Sequence, residues 1–186
     1  MKWLTTLIVS ALFFQGCNAQ GTSTKKTDMD SIQKSDNPFF SRNDNSKLAV
    51  KEAEWKKLLS PEVYYIAREK GTERPWTSKF EAFKEAGTYY CAVCGNSLFR
   101  SDTKFDSGCG WPSFYEPVSK GSIIYLPDNT VGMKRTEVQC GRCKSHLGHV
   151  FEDGPPPTGL RYCINGVVLD FEKAKEIEQK YEKKGE

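Results

Sequence analysis

Two cysteine pairs, Cys91-Ala92-Val93-Cys94 and Cys140-Gly141-Arg142-Cys143, carry the strongest chemical signal in this chain. Thiolates two residues apart in a tight turn face one ion, and two such turns complete the four-sulfur tetrahedron of a structural Zn²⁺ site. Cys91, Cys94, Cys140 and Cys143 are therefore expected to hold one zinc. Two alternatives stand beside this reading. The six cysteines Cys91, Cys94, Cys109, Cys140, Cys143 and Cys163 would make three disulfides if the chain is exported, although a bridge across C-x2-C closes a tiny loop and restrains little. A mixed site using His146 or His149 also fits the spacing, but it leaves one cysteine unemployed.

Just after the second pair come the only two histidines, in His146-Leu147-Gly148-His149-Val150-Phe151, and then Arg161-Tyr162-Cys163-Ile164-Asn165. Cys163 is the candidate working residue. Only the thiolate is nucleophilic, and an ordinary cysteine is a few per cent ionised at neutral pH. On a strand, Arg161 and Asn165, two positions to either side, share the face of Cys163, so Arg161 is expected to lower its pKa. His146 and His149 can supply a proton, because imidazole titrates near working pH. Cys109 lies in its own segment, Ser107-Gly108-Cys109-Gly110-Trp111-Pro112-Ser113-Phe114.

The elements that must position these groups change character at Gly87. Before it, Leu48 to Leu59 has a rough helical period. Ser60-Pro61-Glu62 reads as an N-cap, a proline at the first helical position and an acid facing the dipole, opening a helix that runs to Glu69. A third short helix is expected over Lys79 to Glu85. After Gly87 come short β-branched or aromatic runs separated by Gly, Pro, Asn and Asp: Tyr89-Tyr90, Leu98-Phe99, Ser122 to Leu126, Val131 to Val138, Val150-Phe151, Arg161 to Ile164 and Val167 to Leu169. These predict a mainly β fold of small antiparallel sheets with short N-terminal helices. Phe171 to the C-terminus reads as a charged helical tail.

Met1-Lys2, the apolar run Trp3 to Phe14 and then Gln15-Gly16-Cys17 form an export signal over residues 1–16. The run is too short to span a membrane. Cys17 after Gly16 is like a bacterial lipoprotein signal, whose cysteine is lipidated and begins the mature chain, although Gln15 stands where a small residue is usual. Cleavage after Ala19 is the alternative. The protein is thus expected outside the cytoplasm, periplasmic or membrane-anchored through lipid. Residues 17–46, poor in apolar side chains, are expected to be a flexible tether, and residues 47–186 the catalytic domain. The net charge of +3 is spread among mixed Lys, Arg, Asp and Glu, which argues against a nucleic-acid surface.

The two knuckles and the segments around Cys109, His146–Phe151 and Cys163, in this order over Glu54 to Phe171, closely resemble the B-type methionine sulfoxide reductases, which return the R epimer of methionine sulfoxide to methionine. The resemblance implies that the Cys163 thiolate attacks the sulfoxide and becomes a sulfenic acid. It implies too that Cys109 resolves this as a disulfide, reduced in turn by a thioredoxin-like donor. It places Trp111 against the substrate methyl group with Phe151 nearby, and His146, His149 and Asn165 around the sulfoxide oxygen. Oxidised proteins or peptides are the implied substrates, and a monomer is expected. One departure stands out: the family usually has Ser after the Asn, where this chain has Gly166. Two rivals use the same knuckles. A zinc-ribbon binding module would not need Cys109, Cys163 or the histidines, and a rubredoxin-like carrier would be red with iron.

Overall fold

The computed structural model describes residues 36–174. The leader with Cys17, most of the expected tether and the chain beyond residue 174 lie outside the described residues. Among the described residues two helices come first, α1 (Glu52–Leu58) and α2 (Pro61–Ala67). Acids in the first turn of α1 and lysines in its last complement the helix dipole, and Trp55 is its buried anchor. The Ser60 hydroxyl caps α2 by accepting from Val63 N at 3.3 Å, with Pro61 in the first turn.

The third helix expected over residues 79–85 is not formed, and those residues make turns and bends instead. Tertiary contacts outcompete the helical ladder there. Phe80 packs edge-on against Tyr89 and Phe83 against Phe171. The Glu81 carbonyl accepts from Lys104 Nζ, and Ser78 Oγ takes the Phe80 N–H.

Nine antiparallel strands follow: β1 (Gly87–Cys91), β2 (Ser97–Arg100), β3 (Lys104–Phe105), β4 (Ser113–Phe114), β5 (Ile123–Asp128), β6 (Arg135–Cys140), β7 (His146–Phe151), β8 (Arg161–Ile164) and β9 (Leu169–Lys173). They make a three-stranded sheet, ordered β2-β1-β9, and a six-stranded sheet, ordered β3-β4-β8-β7-β6-β5. The fold is mainly β with short N-terminal helices, as the turn-punctuated sequence predicts. Several boundaries differ: β7 begins at His146 rather than Val150, and the first helix at Glu52 rather than Leu48. The strand expected from Val131 starts at Arg135, after a 3-10 turn over Thr130–Gly132. The run from Val167 opens as another, Gly166–Val168, and is extended only from Leu169. Residues 171–173, expected to begin a helical tail, finish β9 against β1, where Phe171 lies opposite and packs on Tyr89.

Alternation along β8 divides the molecule into two faces. Tyr162 and Ile164 point into the core, with Phe99 and Phe114 close by, while Arg161 and Cys163 take the other face and remain half-buried.

Residues 37–46, the described end of the expected tether, do not run free; with residues 47 and 48 they are held by hydrogen bonds to the folded domain. They form a strap across both knuckles, and its bolt is the buried guanidinium of Arg142. Arg142 donates to the carbonyls of Phe39 (2.9 Å), Ser46 (3.2 Å) and Cys94 (2.5 Å) and pairs with Asp44 (2.7 Å). Asn37 Nδ2 donates to Val93 O, Ser41 N to Cys94 O and Leu48 N to Arg142 O. Farther along, Arg42 bridges Asp170 and Glu172. Arg142→Ala removes donors from carbonyls that remain largely shielded, so a loss of about 3–5 kcal/mol is expected. The check is a lowered thermal midpoint together with new proteolytic cuts within residues 37–48; an unchanged midpoint would contradict it.

Candidate active site and metal centre

The knuckles are built alike. Each hangs from the end of a strand, β1 or β6, and closes with a backbone bond, Gly95 N to Cys91 O in one and Lys144 N to Cys140 O in the other. Gly95 and Lys144 both take positive φ, +78° and +60°. Gly95 is also required by space, since a Cβ there would lie 2.6 Å from Ser41 O of the strap.

The four buried sulfurs lie within 4.8 Å of one another. Cys91 and Cys143 are 3.8 Å apart, and Cys94 and Cys140 3.6 Å. A tetrahedron with bonds of about 2.3 Å has edges of about 3.8 Å, so the separations suit a thiolate-bound Zn²⁺. All six described cysteines are free thiols rather than three disulfides, and both histidines lie outside this cluster. Without a cation, the crowded sulfurs cannot all ionise. The neighbouring thiols drive Cys91 far above the ordinary thiol value while Cys143 falls far below it.

The second site is one row across four strands. Ser113 in β4 lies opposite Cys163 in β8, which lies opposite His149 in β7, which lies opposite Glu137 in β6. Directly opposed residues share a face with Cβ atoms roughly 4.5–5.5 Å apart. The next row brings Phe151 opposite Arg161, whose guanidinium sits 4.4 Å from the Phe151 ring centre.

Residues three apart on a regular strand face opposite ways, yet the rings of His146 and His149 meet at 5.5 Å. An irregularity in the β6–β7 ladder explains this. Val138 pairs with Gly148 and Gln139 with His146, so one extra residue, Leu147, is inserted. Gly148 is needed there because a Cβ would lie 2.0 Å from Cys163 O. That approach holds β7 tightly against the strand of the nucleophile candidate.

Carboxylates that the sequence reading missed stand behind the polar side chains. His146 Nδ1 is 2.8 Å from Glu137 Oε1, and His149 Nε2 is 2.7 Å from Asp128 Oδ2. Burial holds His146 below the usual imidazole range, against the pull of Glu137. Glu137 is itself held by Lys70 at 2.7 Å, and Asp128 by Arg135 at 2.6 Å. Arg161 makes a two-point pair with Asp153.

Cys109 Sγ lies 3.5 Å from Cys163 Sγ. The expectation that Arg161 lowers the Cys163 pKa holds for its direction of pull but not for the outcome. Burial, followed by the adjacent Cys109, pushes the Cys163 thiol up to about 12. Cys109 goes the other way: burial raises it, but its hydrogen-bond contacts together, with Ser107 and Ser113 foremost, outweigh this and bring it below the ordinary value. In reduced protein at pH 7, limiting iodoacetamide should therefore label Cys109 well before Cys163, and labelling of Cys163 should climb as pH approaches 12. Peptide mass mapping checks the order, and equal labelling at pH 7 would contradict it.

Asn165, expected beside the sulfoxide oxygen, is tied into the protein by two hydrogen bonds. Its side chain donates to Leu147 O at 3.0 Å and accepts the Glu73 N–H at 3.0 Å. It is a buried brace, beyond the end of β8. Glu73 is the hub of this brace and was also missed. Its carboxylate accepts from Gly166 N and Val167 N, and its carbonyl accepts from Trp111 Nε1 at 3.2 Å. Trp111 is thereby fixed, half-buried, beside Cys109. Gly166 has a local reason as well, since a Cβ there would lie 1.7 Å from Ser78 Oγ. The acids carry no local sequence signal; Glu73, Asp128, Glu137 and Asp153 acquire partners only through strand register and loop closure.

Comparison with known proteins agrees with this geometry. The SelR domain family matches residues 59–173. A peptide methionine sulfoxide reductase MsrB of Pseudomonas putida (strain W619) is 61% identical over 118 residues, covering 63% of this chain and 89% of that protein. The protein of the same name from Agrobacterium fabrum is 56% identical over 126 residues, covering 68% and 93%. That from Methanosarcina mazei is 56% identical over 128 residues, covering 69% and 91%.

Proposed function

The chain belongs to the SelR-domain family of B-type methionine sulfoxide reductases, and from that premise we propose that it reduces the R epimer of methionine sulfoxide in proteins to methionine. The observation that carries the reading is the Cys163–Cys109 pair at 3.5 Å, with Cys163 directly opposite His149 in the sheet.

The chemistry balances in three steps. Cys163 sulfur attacks the sulfoxide sulfur; the oxygen moves to Cys163 as methionine leaves, and the thiol proton and the sulfoxide oxygen both end in the sulfenic acid. Cys109 then attacks Cys163 sulfur, forming a disulfide and releasing water. An external dithiol finally reduces the disulfide and is itself oxidised. His146 and His149, each with one ring nitrogen fixed by a carboxylate, present imidazoles from which the sulfoxide oxygen can take a hydrogen bond or proton. Trp111 and Phe151 supply the apolar wall for the methyl end, and Arg161 draws Cys163 toward its thiolate. Asn165 acts here as a positioning residue through Glu73 and Trp111.

Zn²⁺ at Cys91, Cys94, Cys140 and Cys143 is a structural ion in this reading and stands outside these steps. The reductant is a thioredoxin-like protein and the enzyme a monomer. Export rests on the leader pattern, with Cys17 the lipidated residue and the folded domain held periplasmic or at a membrane surface. Cys17→Ala should then move the protein from the membrane to the soluble fraction, and unchanged fractionation would refute the anchor.

Purified protein with dithiothreitol should consume the R but not the S epimer of a peptide methionine sulfoxide. Consumption of the S epimer alone, or of neither, would overturn the assignment.

A further inference from the structure

We propose that Ser107 is a catalytic residue of the disulfide half of the cycle, its hydroxyl holding the Cys109 sulfur as the thiolate that closes onto Cys163. The inference rests on the reading above and extends it to a residue whose part in the chemistry has not been assigned.

The geometry is a short relay. Ser107 Oγ lies 3.0 Å from Cys109 Sγ, and the hydroxyls of Ser107 and Ser113 are 2.7 Å apart. Ser113 Oγ is 3.5 Å from the same sulfur and buried. Ser107 Oγ donates to Cys109 Sγ, and it can accept from Ser113 when the Ser113 proton turns away from its other acceptor, Trp111 O at 3.2 Å. The Cys109 N–H also reaches Ser107 Oγ, at 3.4 Å, fixing the serine against its own loop. Ser113 is anchored independently, because its strand position lies opposite Cys163. The relay is thus built from the two sides of the bond that must form.

In the resolving step the Cys109 thiolate attacks Cys163 sulfur, the S–S bond forms, the S–OH bond breaks, and hydroxide leaves and is protonated to water. A hydrogen bond to a charged partner is among the stronger ones, and it favours ionisation of the attacking sulfur. Removing it raises the pH at which Cys109 is available. The same contact would catch Cys109 when the disulfide is opened by a donor thiolate attacking Cys163.

The test is a single turnover without reductant, following methionine release and disulfide closure separately on holoenzyme, with a sulfenate-trapping dimedone sample at each time. In Ser107→Ala the interval between release and closure should lengthen about tenfold or more. Trapped sulfenate at Cys163 should rise, and the midpoint of closure against pH should move upward. Ser107→Thr, which keeps the hydroxyl, should restore the shorter interval and the original midpoint. An unchanged interval and midpoint in Ser107→Ala, or equal delay in both variants, would overturn the role. If Ser107→Ala does not fold, Ser113→Ala takes its place, with a longer interval expected and an unchanged one decisive against the relay. Failure of wild-type protein to release methionine at all would instead remove the reductase reading, and the inference with it.

Discussion

Cys163→Ser is expected to fold, to retain zinc and to produce no methionine from the R sulfoxide, a loss of about three orders of magnitude or more. The reason is chemical rather than structural. A serine hydroxyl neither ionises in this range nor accepts a sulfoxide oxygen to form a stable counterpart of a sulfenic acid. The core side of β8 is carried by Tyr162 and Ile164, whereas Cys163 looks the other way and is only half-buried. Its replacement thus removes one sulfur from the cleft without opening the interior. Cys109→Ser gives the companion result: turnover continues with dithiothreitol, which attacks the sulfenic acid directly, while recycling by thioredoxin is lost. Methionine release from Cys163→Ser would transfer the chemistry to another residue. Multiple thioredoxin-driven turnovers in Cys109→Ser would remove Cys109 from the route.

The second large effect concerns the metal. Cys140→Ser, or exhaustive chelation, is expected to abolish cooperative folding, because structural zinc supplies on the order of 10 kcal/mol, which equals the whole stability of an ordinary domain. An ion at these four sulfurs would tie the end of β1 in the small sheet to the end of β6 in the large one, and Arg142 joins the strap to the same turns. Elemental analysis should give one zinc per chain, and the chelated protein should lose its near-ultraviolet dichroism and its sharp thermal transition. A metal-free sample that still melts cooperatively near the original midpoint would show that the sheets hold without the ion.

How far the sequence reveals all this depends on the range of the interaction. The knuckles are legible because C-x2-C is a local pattern whose geometry comes with its spacing. Ser60-Pro61-Glu62 is legible for the same reason, and its cap forms as read. Turn residues separate most of the strands. Residues 79–85 look helical in isolation, but Phe80 and Phe83 are taken by β1 and β9. Phe171 continues a charged stretch, yet β1 offers it an edge to pair with. The two histidines are visible, whereas the inserted Leu147 that turns them to one face is not. Asn165 is legible only in part. Its position two after Cys163 suggests a shared face, but the strand ends at Ile164 and Glu73, 92 residues away, takes its side chain. Composition also hides the strap, whose polar residues are ordered by one arginine inside a knuckle.

The row Ser113–Cys163–His149–Glu137 draws each member from a different strand. None of these groups is assembled by its immediate sequence neighbours. A newly made chain consequently carries all its thiols and imidazoles but cannot gather them around one substrate until the last register locks. The concerted use of these groups arrives with maturation, as a property of the finished sheet.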